Sequence, residues 1–267
     1  MQRREFLAAS AGVMTAAAGA GVFAAEAPSN KQLIELRTYR FPSIDKRQAY
    51  ESFLGEAGVA AYARAGVGPV GVFKLLAKDN PPLKLAADAT DLYVLLPHKS
   101  AESFVTLERR LLADEAFQQA GKAVLGAATS EPAFARYEST MMLGFDECPQ
   151  VQAPSKSETR LLQLRIYESK SDERAKRKIH MFNEGGEIAI FRRVGMHPVF
   201  FGEALAGAKL PNLTYMLAFD DEQAMTKAWD AFRGDPQWKK LSGDESYKDT
   251  VSTITNLVLR PAAGSQV

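Results

Sequence analysis

The sequence predicts an α+β fold in which two tandem units close into one pseudo-dimeric α/β barrel. Three observations carry this. Leu36-Arg37-Thr38-Tyr39 returns as Leu164-Arg165-Ile166-Tyr167, and the segments after each copy recur in the same order. A repeat of this length marks a duplicated domain. With 267 residues, 46% apolar and 24% charged, the chain has material for two packed units and no composition of general disorder.

Each copy opens on a strand, Leu33 to Arg40 and Leu161 to Tyr167. Alternation puts Ile34, Leu36 and Thr38 on one face and Glu35, Arg37 and Tyr39 on the other. Leu162, Leu164 and Ile166 are likewise opposed to Gln163, Arg165 and Tyr167. A helix follows, with Tyr50, Phe53, Leu54, Ala57 and Ala61 at helical spacing in the first copy and Ile179, Phe182, Ile190 and Phe191 in the second. Gly185-Gly186 weakens or splits the second of these helices.

The turns Ala65-Gly66-Val67-Gly68-Pro69 and Val194-Gly195-Met196-His197-Pro198 lead into strands Val70 to Leu76 and Val199 to Ala204. Third strands at Leu92 to Leu96 and Leu213 to Phe219 are followed by helices capped by Ser100 and by Asp220 or Asp221. Asp114-Glu115-Ala116-Phe117 then aligns with Asp235-Pro236-Gln237-Trp238, and closing strands run from Phe134 to Leu143 and from Thr253 to Leu259.

Strand, helix, strand, strand, helix, strand is the ferredoxin-like βαββαβ plan. Its helices cover one sheet face, and two such units bury the other by closing into a barrel. The predicted boundaries are repeat 1 at 32–145, a polar, Pro-containing linker at 146–159 and repeat 2 at 160–260. On this plan Leu36 and Leu164 face helices, while Arg37, Tyr39, Arg165 and Tyr167 share the barrel interior.

Residues 1–24 read as an export signal: a short charged start with Arg3-Arg4 before Phe6-Leu7, then an Ala/Gly-rich apolar run, with cleavage after Ala24. This is the twin-arginine type; an ordinary secretory signal or an uncleaved anchor are the alternatives. The expected location is the periplasm or the extracellular space. Removing these residues takes two Arg and one Glu from 33 basic and 32 acidic residues, leaving 31 of each. That balance argues against a nucleic-acid partner. The single cysteine, Cys148, lies in the linker and can form no internal disulfide.

Glu35-Leu36-Arg37-Thr38-Tyr39, the Gly66 to Phe73 turn and strand, and Asp235-Pro236-Gln237-Trp238 resemble the NIPSNAP family, of the dimeric α/β-barrel superfamily. The resemblance covers nearly all of the chain after the signal, twice. It departs at Gln163, opposite Glu35; at Phe117, opposite Trp238; and at His197, opposite Gly68. The family implies no settled reaction. Similar barrels include cofactor-free monooxygenases of aromatic polyketides, haem enzymes and proteins that only bind, and fold does not choose among them.

Arg37, Tyr39, Arg165 and Tyr167 are the best candidate ligand-binding set, since guanidinium and phenol groups suit a small anionic or aromatic molecule. The architectural alternative is that these arginines pair with Glu35 or other carboxylates. His197, in a turn at the barrel mouth, is a further candidate, able to act as a base. His98, His180 and His197 have no neighbours at metal-site spacing, and Gly66-Val67-Gly68 lacks the rest of a dinucleotide fingerprint. The sequence therefore implies no cofactor and no metal, although one His suffices to hold haem. It names no catalytic residue. The reading is an exported small-molecule-binding protein, monomeric as a pseudo-dimer or homodimeric, with no membrane span once the signal is removed. An enzyme on the same barrel and a non-catalytic interaction protein using the outer helices are the alternatives.

Overall fold

The computed structural model describes residues 30–267, so the expected export signal lies outside the described residues. The first half runs β1 (Leu33–Arg40), α1 (Ile44–Phe53), a π-helical turn (Leu54–Gly58), α2 (Val59–Arg64), β2 (Gly71–Leu75), β3 (Asp91–His98), α3 (Ala101–Leu112), α4 (Glu115–Leu125) and β4 (Arg136–Gly144). The second runs β5 (Leu161–Glu168), α5 (Asp172–Phe182), α6 (Glu187–Arg193), β6 (His197–Ala206), β7 (Asn212–Phe219), α7 (Glu222–Gly234), α8 (Pro236–Ser242) and β8 (Thr253–Pro261).

The two halves start their helices in matching ways. Ser43 and Ser171 cap α1 and α5, accepting from the backbone N–H three residues on. Ser100 and Asp221 do the same for α3 and α7, and Asp114 and Asp235 start the short helices α4 and α8, which periodicity alone does not mark. The paired glycines split the helix as anticipated: α5 stops at Phe182, and Gly186, at φ +85, begins α6.

Among the described residues eight strands form a closed antiparallel barrel, in the order β1-β3-β2-β8-β5-β7-β6-β4. Each half supplies four neighbouring strands. The seams between halves are β2 with β8, where Leu75 faces Leu259, and β4 with β6, where Gly144 faces Gly202. Closure leaves no free sheet edge.

The faces are the reverse of the expectation. Ile34 and Leu36 of β1 pack with Leu162 and Leu164 of β5, Phe73, Phe200 and Met216 in one buried cluster that fills the lumen. Arg37 and Tyr39, like Arg165 and Tyr167, point outward beneath the helices, where Tyr39 packs with Tyr50 and Phe53, and Tyr167 with Phe182 and Phe191. Eight strands leave an interior just wide enough for side chains, so the lumen takes the apolar faces of both halves. Cys148 also departs from its polar surroundings: it is fully buried beside Phe145 and Phe201, and burial pushes its thiol up to about 11. Among the described residues no helix is long and apolar enough to cross a membrane.

Candidate functional site

Because the Arg/Tyr face looks at helices, the candidate set divides into two pockets, one per half. Strand register relates them. Arg37 lies opposite Val94 and Ser139, and Arg165 opposite Tyr215 and Asn256. The first pocket, about 420 Å³, is lined by Arg37, Tyr39, Tyr50, Glu108, Phe134 and Tyr137 among others. The second, about 670 Å³, is lined by Gln163, Arg165, Tyr167, Lys178, Glu187, Phe191, Trp229 and Trp238 among others.

In the first pocket the cation is already answered. Arg37 Nε and Nη2 donate to the two oxygens of Glu35 at 2.7 and 3.1 Å, and Nη1 reaches Glu108 at 2.8 Å. Glu35 also accepts from Ser139 Oγ at 2.7 Å and lies 3.2 Å from His98 Nε2, whose other nitrogen is 3.3 Å from Ser103 Oγ. Burial alone would push the Glu35 carboxyl up, but the His98, Arg37 and Ser139 hydrogen bonds and the Arg37 charge hold it at about 2. This is the architectural pairing, made with Glu35 itself.

The second pocket keeps the arginine and loses the carboxylates. Gln163 stands in place of Glu35, and its amide is occupied: Oε1 accepts from Trp229 Nε1 at 2.8 Å and Nε2 donates to Asn256 at 2.9 Å. Trp229, eight residues after the cap of α7, stands where Glu108 stands after the cap of α3. Arg165 packs on the rings of Tyr167 and Trp229, 5.3 and 4.9 Å from their centroids. Its Nε is shut from solvent and has no hydrogen-bond partner. Such an atom is costly to leave in place.

The pocket wall carries a second charged group. Lys178 Nζ donates to Glu187 Oε2 at 2.7 Å, both residues being buried, and sits 4.5 Å from the centroid of Phe182. Burial raises the Glu187 carboxyl, opposed by the charge and hydrogen bond of Lys178 and by the charge of Arg165. Burial also raises the Tyr167 phenol, against the Arg165 charge, and its hydroxyl lies 3.0 Å from that of Tyr215. Arg233, also on the wall, is exposed and paired with Asp230. With Arg165 and Lys178 against Glu187 alone, these three side chains carry one net positive charge.

Of the sequence-derived candidates, Arg165 with Tyr167 and Arg37 with Tyr39 are brought together in pairs, but the four do not share one cavity. His197 is exposed at the start of β6, opposite Ala218, and lines neither pocket. Lys178 and Trp229 are site residues that the sequence reading does not single out, and Gln163 enters it only as the departure opposite Glu35. A signal for them exists: Lys178 lies seven residues after Ser171, where Tyr50 lies seven after Ser43.

In the lumen, a smaller cavity of about 240 Å³ opens at one end between Leu36, Thr38, Leu164, Ile166, Thr214 and Thr255. Among the described residues no group of three or more His, Cys, Asp or Glu is arranged to hold a metal. None of the three histidines lines any of these cavities: His98 is buried against Glu35, and His180 is exposed, with Nδ1 2.9 Å from Tyr247 Oη. A haem in either pocket would therefore find no histidine ligand there.

No curated protein matches the chain in sequence. Among solved structures it is similar to a proposed monooxygenase from Fusobacterium nucleatum, with 11% identity, 87% of this chain and 93% of that chain covered, and a TM-score of 0.58. A proposed monooxygenase from Lactobacillus acidophilus gives 10% identity, 88% and 97% coverage and a TM-score of 0.55. A NIPSNAP family protein of unknown function from Agrobacterium tumefaciens, 18% identical, covers 43% of this chain and 98% of its own, with a TM-score of 0.36. At such identities the likeness to the two full-length structures speaks for the barrel alone. The NIPSNAP family model matches residues 162–266, which include every residue lining the second pocket. The similarity to the NIPSNAP family thus lies in the second half of the chain.

Proposed function

We propose that the second half binds a small anionic or aromatic molecule between its sheet and helices, and that the first half is the scaffold against which it closes. One observation carries the reading: Arg165, in a pocket of about 670 Å³, has an Nε buried without a hydrogen-bond partner, while its duplicate Arg37 is satisfied by Glu35 and Glu108. Aromatic walls and an open guanidinium are the usual composition of a site for planar anions. Titration with a panel of aromatic and anionic compounds, followed by the fluorescence of Trp229 and Trp238, tests this. Binding should be lost in Arg165→Met and kept in Arg37→Met, and equal binding by both variants would remove the basis of the proposal.

Residues 1–24 support export to the periplasm or beyond it. N-terminal sequencing of protein from its native host should find the chain starting at Ala25, the residue after the expected cleavage point. A chain that keeps Met1 in the native host would contradict a cleaved signal.

A second reading, cofactor-free oxygenation of an aromatic substrate, has one observation in its favour. Glu187 is buried in the wall of an aromatic pocket with its carboxyl raised by burial, which puts a proton-exchanging group beside any bound ring. Oxygen uptake with phenolic substrates, abolished in Glu187→Gln, is the measurement that tests it.

A further inference from the structure

We infer that the ligand of the second pocket is a monocarboxylate on an aromatic body, whose carboxylate takes at Arg165 the role that Glu35 and Glu108 take at Arg37. This rests on the reading of that pocket as a ligand site and adds the chemical class.

The duplication supplies the template. Both arginines occupy the same register position on the first strand of their half. Around Arg37 the fold places two carboxylates, at 2.7 Å from Nε and 2.8 Å from Nη1. Around Arg165 the two corresponding positions hold Gln163 and Trp229, and the Gln163 amide is spent on Trp229 and Asn256. The one carboxylate lining the pocket, Glu187, is taken by Lys178 at 2.7 Å. The site thus carries one half-buried cation without a counter-charge of its own.

The kind of anion follows from what surrounds that cation. Arg165 packs on the rings of Tyr167 and Trp229, so the N–H edge of the guanidinium is what remains for a ligand. In-plane, two-point contact with that edge is the geometry of a carboxylate. A single open cation balances a single negative charge, whereas a phosphate dianion would keep an unbalanced charge beside an apolar wall. Phe191, Phe232 and Trp238 complete that wall and match an aromatic body.

The test uses the whole chain and four probes: benzoate, its neutral counterpart benzyl alcohol, inorganic phosphate and chloride, titrated by calorimetry and by tryptophan fluorescence. Benzoate should bind roughly tenfold or more tighter than benzyl alcohol. Gln163→Glu restores the residue the first half uses, and should weaken benzoate by a similar factor without lowering the melting temperature. Arg165→Gln, as a second variant, should level the two aromatic probes. Benzyl alcohol binding as well as benzoate, phosphate or chloride displacing benzoate at equal concentration, or Gln163→Glu binding benzoate like the parent would each overturn the inference while leaving a ligand site. Binding of none of the probes would overturn the site itself.

Discussion

Glu35 and Arg37, two residues apart on β1, are joined by a two-point ion pair in which Nε and Nη2 each meet a different carboxylate oxygen, at 2.7 and 3.1 Å. Both side chains are almost fully buried. Removing one partner of such a pair leaves the other's charge uncompensated, so Glu35→Gln should cost about 3–5 kcal/mol, read from urea unfolding. Glu35 has its folded-state value depressed from 4.5 to about 2, so its contribution is complete above about 4.5 and is lost as pH falls through about 2. The parent should therefore lose stability across that acid window, and Glu35→Gln should lack that component of the loss.

The duplicated arginines should respond oppositely to the same substitution. Arg37→Met strands Glu35 and should lower the melting temperature by several degrees. Arg165→Met removes a buried Nε that has no partner and should leave the melting temperature unchanged or raised. Differential scanning calorimetry of the two variants side by side decides it; equal losses would mean that the two positions are energetically alike.

Lys178 and Glu187 form the other buried pair, at 2.7 Å. Lys178→Met alone should be strongly destabilising, by about 3–5 kcal/mol, whereas Lys178→Met with Glu187→Leu should recover most of that loss. The pH dependence has the opposite sign to that of Glu35. Glu187 is raised in the folded state, so folding favours its protonated form and the cost of its charge appears as pH rises above the ordinary carboxylate range. The deficit of Lys178→Met should be larger at about pH 8 than at about pH 4, measured by urea midpoints.

Leu164 checks the orientation of β5. It is fully buried in the lumen cluster, so Leu164→Ala should cost about 2–5 kcal/mol and enlarge the cavity that it borders. Thermal unfolding measures the cost, and a loss under about 0.5 kcal/mol, the scale of a surface change, would contradict a lumen position.

Much of this fold was legible because each signal came twice. The Leu-Arg-x-Tyr strands, the caps Ser100 and Asp221 and the glycine break at Gly186 all stand where the sequence puts them. What alternation leaves open is which face is which. It shows that Leu36 and Arg37 look in opposite directions, but in a barrel wrapped by helices both faces are buried, so an apolar face is no guide to helix contact. That ambiguity displaced the site from the lumen to two outer pockets. Lys178 and Trp229 stayed hidden for a different reason: each has the spacing of a core position on an amphipathic helix, and only comparison with Tyr50 and Glu108 shows that a change of chemistry has occurred there.

The seams of the barrel bind the fate of the halves. The outer side of β2 pairs with β8 and the residues just after it, and that of β4 with β6. A solitary first half would present two raw sheet edges and the greasy inner wall of Ile34 and Leu36 to water. The halves can be told apart on paper, but the chain should melt in a single cooperative step.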